Sequence, residues 1–353
     1  MSIADIKDKF FKASSAKEDG WRLNKLNYKF MNTMGASTAM VSGLAAGESQ
    51  LQAQIRSNLS QLSSQRAQLE NQLSQLPAGD LSLRNDGVAL AWDYEQSLVE
   101  LGAGSRDWTS NQMQELLEYG SVSGIEGHHI NSVAEHPKLQ AEADNIDFLT
   151  RQEHFQAHEG DWRNPTSGEL YDRRVLIRRE MIKSELFSLG SAILIGGGIG
   201  VVLSLFEENL SWQDRASWFK EGAILGGIGY SGGRIMGGVI SLLAGGNLSS
   251  FTHFFGIGLG SSIAMASYFF HQTQKQGGNK IQAFQAATLH FGVSLSGLLM
   301  MGTAQSIWGG PAGFIAGGIF FGGFLAVNYL EKKKIKDAVK KAMRYKIEIL
   351  APL

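Results

Sequence analysis

Between Gly222 and Leu330 the chain carries only three charged residues, Arg234, Lys275 and Lys280, although 18% of the whole sequence is charged. Ordinary surface helices need a polar face toward water, and a stretch of this kind cannot supply one. It divides, with the segment before it, into pieces of bilayer-crossing length. Leu186 to Phe206 is 21 residues without a charge, and Gly222–Leu248, Phe251–Phe270, Phe284–Ala304 and Ile307–Leu330 follow. A hydrocarbon core of about 30 Å takes about 20 residues of helix. The fourth piece is the most polar, with Gln285, Thr288, His290, Ser294 and Ser296. Glycines recur at four-residue steps, at Gly229, Gly233 and Gly237 and again at Gly309, Gly313 and Gly317. Glycine costs about 1 kcal/mol in an aqueous helix, whereas in lipid small residues at this spacing let helices pack backbone to backbone. The pattern predicts a membrane-embedded region of four or five spans over 186–330. The alternative is a buried soluble bundle. Trp212, Trp218 and Phe219 lie among charges in the Glu207–Glu221 connection, which reads as an interfacial helix.

The front half is polar, so the near-neutral balance of 32 basic and 33 acidic residues averages over two unlike halves. No global basicity argues for a nucleic-acid partner. With no cysteine, disulfides, thiolate metal sites and a cysteine nucleophile are excluded. Met1 to Phe11 has no apolar run of the kind a cleavable secretory signal needs. From Glu48 to Leu76 a polar helix is expected, in which Ile55, Leu59, Leu62, Leu69, Leu73 and Leu76 follow heptad spacing and Arg66 interrupts it. Pro77-Ala78-Gly79 ends the helix. The seam suits either a helix packed on its own N-terminal segment or a coiled-coil homo-oligomer.

Chemistry concentrates between Gly124 and Leu170, where five of the eight histidines fall. His154 and His158 are four apart, which puts both rings on one helix face, able to share a metal. His128 and His129 are adjacent and point to opposite sides of an extended strand. One of them can then ligate while the other faces a substrate. Asn145 sits in a turn-like setting where its amide can tie a loop together. His136, before Pro137, reads as solvated. His253 and His290, in apolar spans, read as neutral imidazoles hydrogen-bonded to a neighbouring helix, and Arg234 must find a partner, snorkel or line a polar cavity.

This run, Gly-His-His, then Asn145, then His154-x-x-x-His158, resembles the HNH, or ββα-metal, endonuclease superfamily. It is most similar to the GHH branch found in bacterial toxins and more distantly similar to the nuclease colicins. The resemblance implies a compact ββα nuclease domain with His128, His154 and His158 as metal ligands. It implies His129 as the general base and Asn145 as its structural support. Glu126 matches an acidic position that some relatives use near the scissile phosphate. Trp162, Arg163 and Asn164 resemble a run that follows the motif in related toxins, where Arg163 would contact phosphate or serve structure. The expected cofactor is one divalent ion; three histidines favour Zn²⁺ or another transition metal, with Mg²⁺ still open. The expected substrate is DNA rather than RNA.

The sequence thus predicts a mainly α chain with a small α+β part. Residues 1–79 form a helical or coiled-coil region, 80–185 the nuclease domain with flanking helices, 186–330 the membrane helices and 331–353 a basic tail. Arg173, Arg174, Arg178, Arg179 and Lys183 before the first span, and Lys332–Lys334 after the last, place both ends in the cytoplasm of a bacterial inner-membrane protein with four crossings. Three roles fit: an antibacterial toxin or translocated effector, with an immunity protein as partner; a resident membrane nuclease that degrades incoming phage DNA; and a channel or transporter carrying a degenerate nuclease fold.

Overall fold

The computed structural model describes residues 40–205, 210–243 and 250–308. The chain is mainly helical, with one two-stranded sheet among the described residues. In order these are α1 (40–75), α2 (Arg84–Glu100), α3 (Ser110–Tyr119), β1 (Ile125–His129), β2 (Ile146–Thr150), α4 (Arg151–Ala157), α5 (Arg173–Ser204), α6 (Trp212–Leu243), α7 (Ser250–Lys275) and α8 (Lys280–Trp308). The chain forms two compact units, Gln50–Phe187 and a second that holds residues 40–49 and the helices from Ser188 onward. The fifth apolar segment beyond Trp308, Lys332–Lys334 and the rest of the basic tail lie outside the described residues.

The Gln50–Phe187 unit has an aromatic centre. Trp92 of α2 stacks on Phe148 of β2 at 3.8 Å between ring centroids, and Trp108 tilts against both. Leu90, Leu98, Ile146, Ile177 and Met181 complete the core around them. The heptad seam of α1 is used here. Ile55 and Leu62 are buried in this core, and Leu59 and Leu69 pack partly on it. Among the described residues, this part of the seam is covered by the core of the Gln50–Phe187 unit. Arg66 interrupts the seam because it meets polar groups there, reaching Glu142 at 2.7 Å and Asp144 at 3.0 Å. This contact ties the C-terminal half of α1 to the rest of the Gln50–Phe187 unit.

Close approach to α2 shapes the hairpin. A Cβ on Gly127 of β1 would meet Val88 Cγ1 of α2 at 2.5 Å. Gly127→Ala should therefore destabilise the unit by about 1–3 kcal/mol, the usual cost of overpacking. A urea midpoint equal to that of the unaltered protein would show that the hairpin can step away from α2.

The second unit is built from long helices that meet through small residues. A Cβ on Gly196 or Gly222 would run into the other's backbone, and one on Gly226 into Ala192, so α5 and α6 touch backbone to backbone. The Gly233 and Gly237 steps of α6 receive Ile257 and Ser261 of α7. The charged and apolar stretches expected on either side of Leu186 are one continuous helix, α5. Similarly, Trp212 and Trp218 begin α6 rather than a separate interfacial helix. Among the described residues one helix, Arg173–Val202, is long and apolar enough to cross a membrane, with a mean hydropathy of 1.7 in its best window. Arg234 is half-buried and engaged by a neighbour. His290 is buried but stacks on Phe269 at 3.7 Å, with neither ring nitrogen hydrogen-bonded among the described residues. The expected cross-helix hydrogen bond is replaced by ring stacking. The side chain of His253 lies outside the described residues.

Candidate active site

β1 and β2 pair antiparallel, with Gly127 opposite Phe148, His128 opposite Asp147 and His129 opposite Ile146. α4 follows β2 directly. Thr150 caps it through a reciprocal box with Glu153, which fixes the helix start at Arg151, three residues before His154. Glu159 and Gly160, at φ 51° and 79°, end the helix and turn the chain back. His128 comes in from the strand, His154 from the helix and His158 from its C-terminal cap. Their ligating nitrogens lie within 4.8 Å of one another, with ring centroids 4.7–5.3 Å apart. The three residues expected as metal ligands are thus brought together.

Two of these rings are held from behind. Glu126 Oε2 accepts from His154 Nδ1 at 2.7 Å, and the Asn164 carbonyl accepts from His158 Nδ1 at 2.6 Å. Each bond puts the ring proton on Nδ1 and leaves the Nε2 lone pair pointing into the cluster, the outer-shell arrangement of metal-binding histidines. Asn164 grips His158 twice, since its Nδ2 also donates to the His158 carbonyl at 3.0 Å. Burial, with His154, His158, His129 and Arg84 nearby, pushes His128 down to about 4, so its imidazole is neutral near pH 7. Three imidazoles whose nitrogens converge in this way fit a zinc-like divalent ion.

His129 is 4% exposed on the other side of β1. Its Nε2 meets the Gln140 carbonyl at 3.1 Å, while Nδ1 has no hydrogen-bond partner among the described residues. With the proton donated from Nε2, Nδ1 keeps a lone pair. Burial lowers its pKa, opposed by the Gln140 carbonyl and reinforced by Arg84. Gln140 is itself clamped: its Oε1 accepts from Leu83 N and its Nε2 donates to the Asp80 carbonyl. A Cβ on Gly87 would meet the Gln140 carbonyl oxygen at 2.5 Å, so this position of α2 accommodates the group that holds His129.

Asn145 is fully buried and pins the loop between the strands. Its Oδ1 accepts from Asn131 N and Nδ2, and its Nδ2 donates to the carbonyls of Asn131 and Leu139. Asn131 continues the chain of bonds to Gly168, and Thr166 Oγ1 donates to the His129 carbonyl at 3.1 Å. Glu126 stands against His154 and 3.9 Å from Arg151. Arg163 is exposed on the turn after His158, and His136 is exposed.

Sequence reasoning missed Gln140, Asn131 and Asp144. Asp144 accepts from Arg66 and from the Arg173 backbone N–H, and its carbonyl accepts from Tyr171 N. Arg173 is fully buried, its Nη2 donating to the Ile146 carbonyl and its guanidinium over Phe148 and Tyr171. It is buried within the Gln50–Phe187 unit, unlike the exposed Arg178 and Arg179. No local sequence signal separates it from Arg174, which reaches Tyr94.

The histidine environments have a pH signature. A histidine whose folded pKa lies below the free value of 6.5 favours folding fully above that value, and the contribution is lost as pH falls toward 4. The metal-free protein should therefore lose stability from pH 7 to pH 4 more steeply than its His128→Asn variant. Parallel pH profiles of the two urea midpoints would remove His128 as the source.

A β-hairpin followed directly by a helix, with a strand histidine facing two histidines carried by the helix and its cap, is the ββα arrangement that the sequence resemblance implies. Residues 82–150 match the family model of the GHH signature containing HNH/Endo VII superfamily nuclease toxins. The match ends at Thr150, before His154 and His158, which the fold supplies. The chain is also similar to Teneurin-3 of Mus musculus (39% identical) and Teneurin-1 of Homo sapiens (38%), each over 71 residues, 20% of this chain. Teneurin-m of Drosophila melanogaster is 37% identical over 62 residues. The chain spans only 2–3% of the length of these relatives.

Proposed function

We propose that the chain is a divalent-metal-dependent endonuclease that hydrolyses DNA phosphodiester bonds and acts as a nuclease toxin. The observation that carries this is the convergence of His128, His154 and His158 with two of their Nδ1 atoms held by Glu126 and Asn164. These three residues would hold the ion, which supplies positive charge for the developing oxyanion and leaving group. His129 would take the proton of the attacking water as general base, which requires its Nδ1, buried in this structure while Nε2 meets Gln140, to become accessible when substrate binds. Asn145 keeps the loop and that carbonyl in place. The toxin role is favoured over phage defence by the toxin family matched at residues 82–150, and it implies an immunity protein in the producing cell. Incubation of purified protein with plasmid and with RNA, with and without EDTA, tests the reading. EDTA-sensitive nicking of plasmid is expected, and intact plasmid under every divalent ion tried would overturn it.

The second unit supports a membrane location for the nuclease. Leu186, Phe187, Leu194 and Val202 of α5 are exposed, as are Ile235 of α6 and Phe284 of α8. Exposed apolar surface of this extent suits lipid better than water. With Arg173 buried in the nuclease core, Arg174, Arg178, Arg179 and Lys183 remain to favour a cytoplasmic nuclease at the bacterial inner membrane. The intact chain should resist carbonate extraction from membranes, whereas a fragment over 50–187 should be soluble and cut DNA. Intact chain in the soluble fraction without detergent would end the membrane proposal and leave the nuclease proposal standing.

A further inference from the structure

Beside the three histidines lies an aromatic surface that the hydrolytic chemistry does not use. Trp162 stands edge-on to His154, with centroids 5.0 Å apart at 90°, and 5.7 Å from His158. Phe155 sits 5.2 Å from it. Trp162 is 47% exposed and Phe155 40% exposed, side by side. An aromatic ring serving only to pack would gain by covering that surface. The ring is nevertheless held in place. Asp161 N donates to the His158 carbonyl, Asn164 N to the Asp161 carbonyl, and Asn164 grips His158 on both sides. The turn that orients a histidine of the cluster therefore also presents Trp162.

Two cations flank this surface. Arg163 is the next residue and exposed, and Arg151, with its side chain 83% exposed, lies across the cluster near Glu126. Aromatic rings interleaved with exposed arginines form the usual surface for a single nucleic-acid strand. The cations meet phosphates and the rings meet bases. A phosphate at the histidine cluster puts its neighbouring nucleoside within reach of Trp162, because the ring borders two of the three histidines. In a duplex that base is stacked and paired; in a single strand its face is free.

We propose that Trp162, with Phe155 beside it, is a stacking platform for an unpaired nucleobase next to the scissile phosphate, so that single-stranded DNA is the preferred substrate. The proposal rests on the nuclease reading for its scissile phosphate, but its test does not depend on cleavage. Fluorescence anisotropy of the full chain in detergent with EDTA present, using oligothymidylate of about 12 nucleotides and a blunt duplex with the same number of phosphates, separates the two. The unaltered protein binds the single strand more tightly. Trp162→Ala weakens single-strand binding about 10-fold, in line with the loss of one stacked base. It leaves duplex binding and Zn²⁺ affinity unchanged, and Trp162→Phe restores most of the loss. Preference of the unaltered protein for duplex, equal losses on both probes, or a parallel fall in Zn²⁺ affinity would each overturn the platform. Plasmid left intact by the unaltered protein, with the single-strand preference and its Trp162 dependence in place, would overturn the nuclease reading alone.

Discussion

His129→Ala should lower plasmid cleavage by about 10²–10⁴-fold, the range that a positioned general base contributes, while Zn²⁺ affinity stays close to that of the unaltered protein. The reason is the division of labour across β1. His128 faces His154 and His158, whereas His129 turns the other way, to the Gln140 carbonyl. His158→Ala should abolish cleavage and metal binding together, since it removes one of three converging nitrogens. Isothermal titration with Zn²⁺ beside a nicking assay reads both quantities. A His129→Ala protein that still cuts at near the original rate would take this residue out of the base role, and His158→Ala with full Zn²⁺ affinity would dissolve the three-histidine site.

Asn145→Ala should unfold the hairpin loop at a cost of about 2–4 kcal/mol, the scale expected when several buried partners lose their hydrogen bonds. The side chain has four bonds to Asn131 and Leu139 and is fully buried. Asn145→Asp keeps the acceptor toward Asn131 but sets a buried carboxylate oxygen against the carbonyls of Asn131 and Leu139, so it should cost at least as much as Asn145→Ala. Urea unfolding of the three proteins measures the order. If Asn145→Ala unfolds at the original midpoint and keeps full activity, the loop is held by other contacts and the asparagine has neither role.

Much of this site was legible in the sequence. His154 and His158 had to share a helix face because a helix returns to the same side after four residues, and the two rings lie 5.3 Å apart on α4 and its cap. His128 and His129 had to diverge because strand residues alternate. Local periodicity governs these relations, so local sequence carries them. The seam of α1 was equally visible, but its occupant was not. Heptad spacing states that a face will be buried and is silent about what buries it, and here the aromatic core of the Gln50–Phe187 unit covers Ile55 and Leu62.

The remaining features depended on contacts between residues far apart in sequence. Nothing near Gln140 marks its carbonyl as the partner of His129, and nothing near Gly87 marks the close approach of that carbonyl to α2. Arg173 has the same composition and spacing as its basic neighbours, yet only the packing of α5 against Ile146, Phe148 and Asp144 turns it from a surface charge into a core residue. Glu126 meets His154 only because strand pairing and the turn into α4 bring two segments 28 residues apart together. The sequence by itself determined which residue types and periods were available for chemistry, because those follow from backbone geometry within a few residues. The tertiary structure decided which side of each residue faces the ion, the core or solvent, because that is set by burial and hydrogen bonding between segments that only folding brings together.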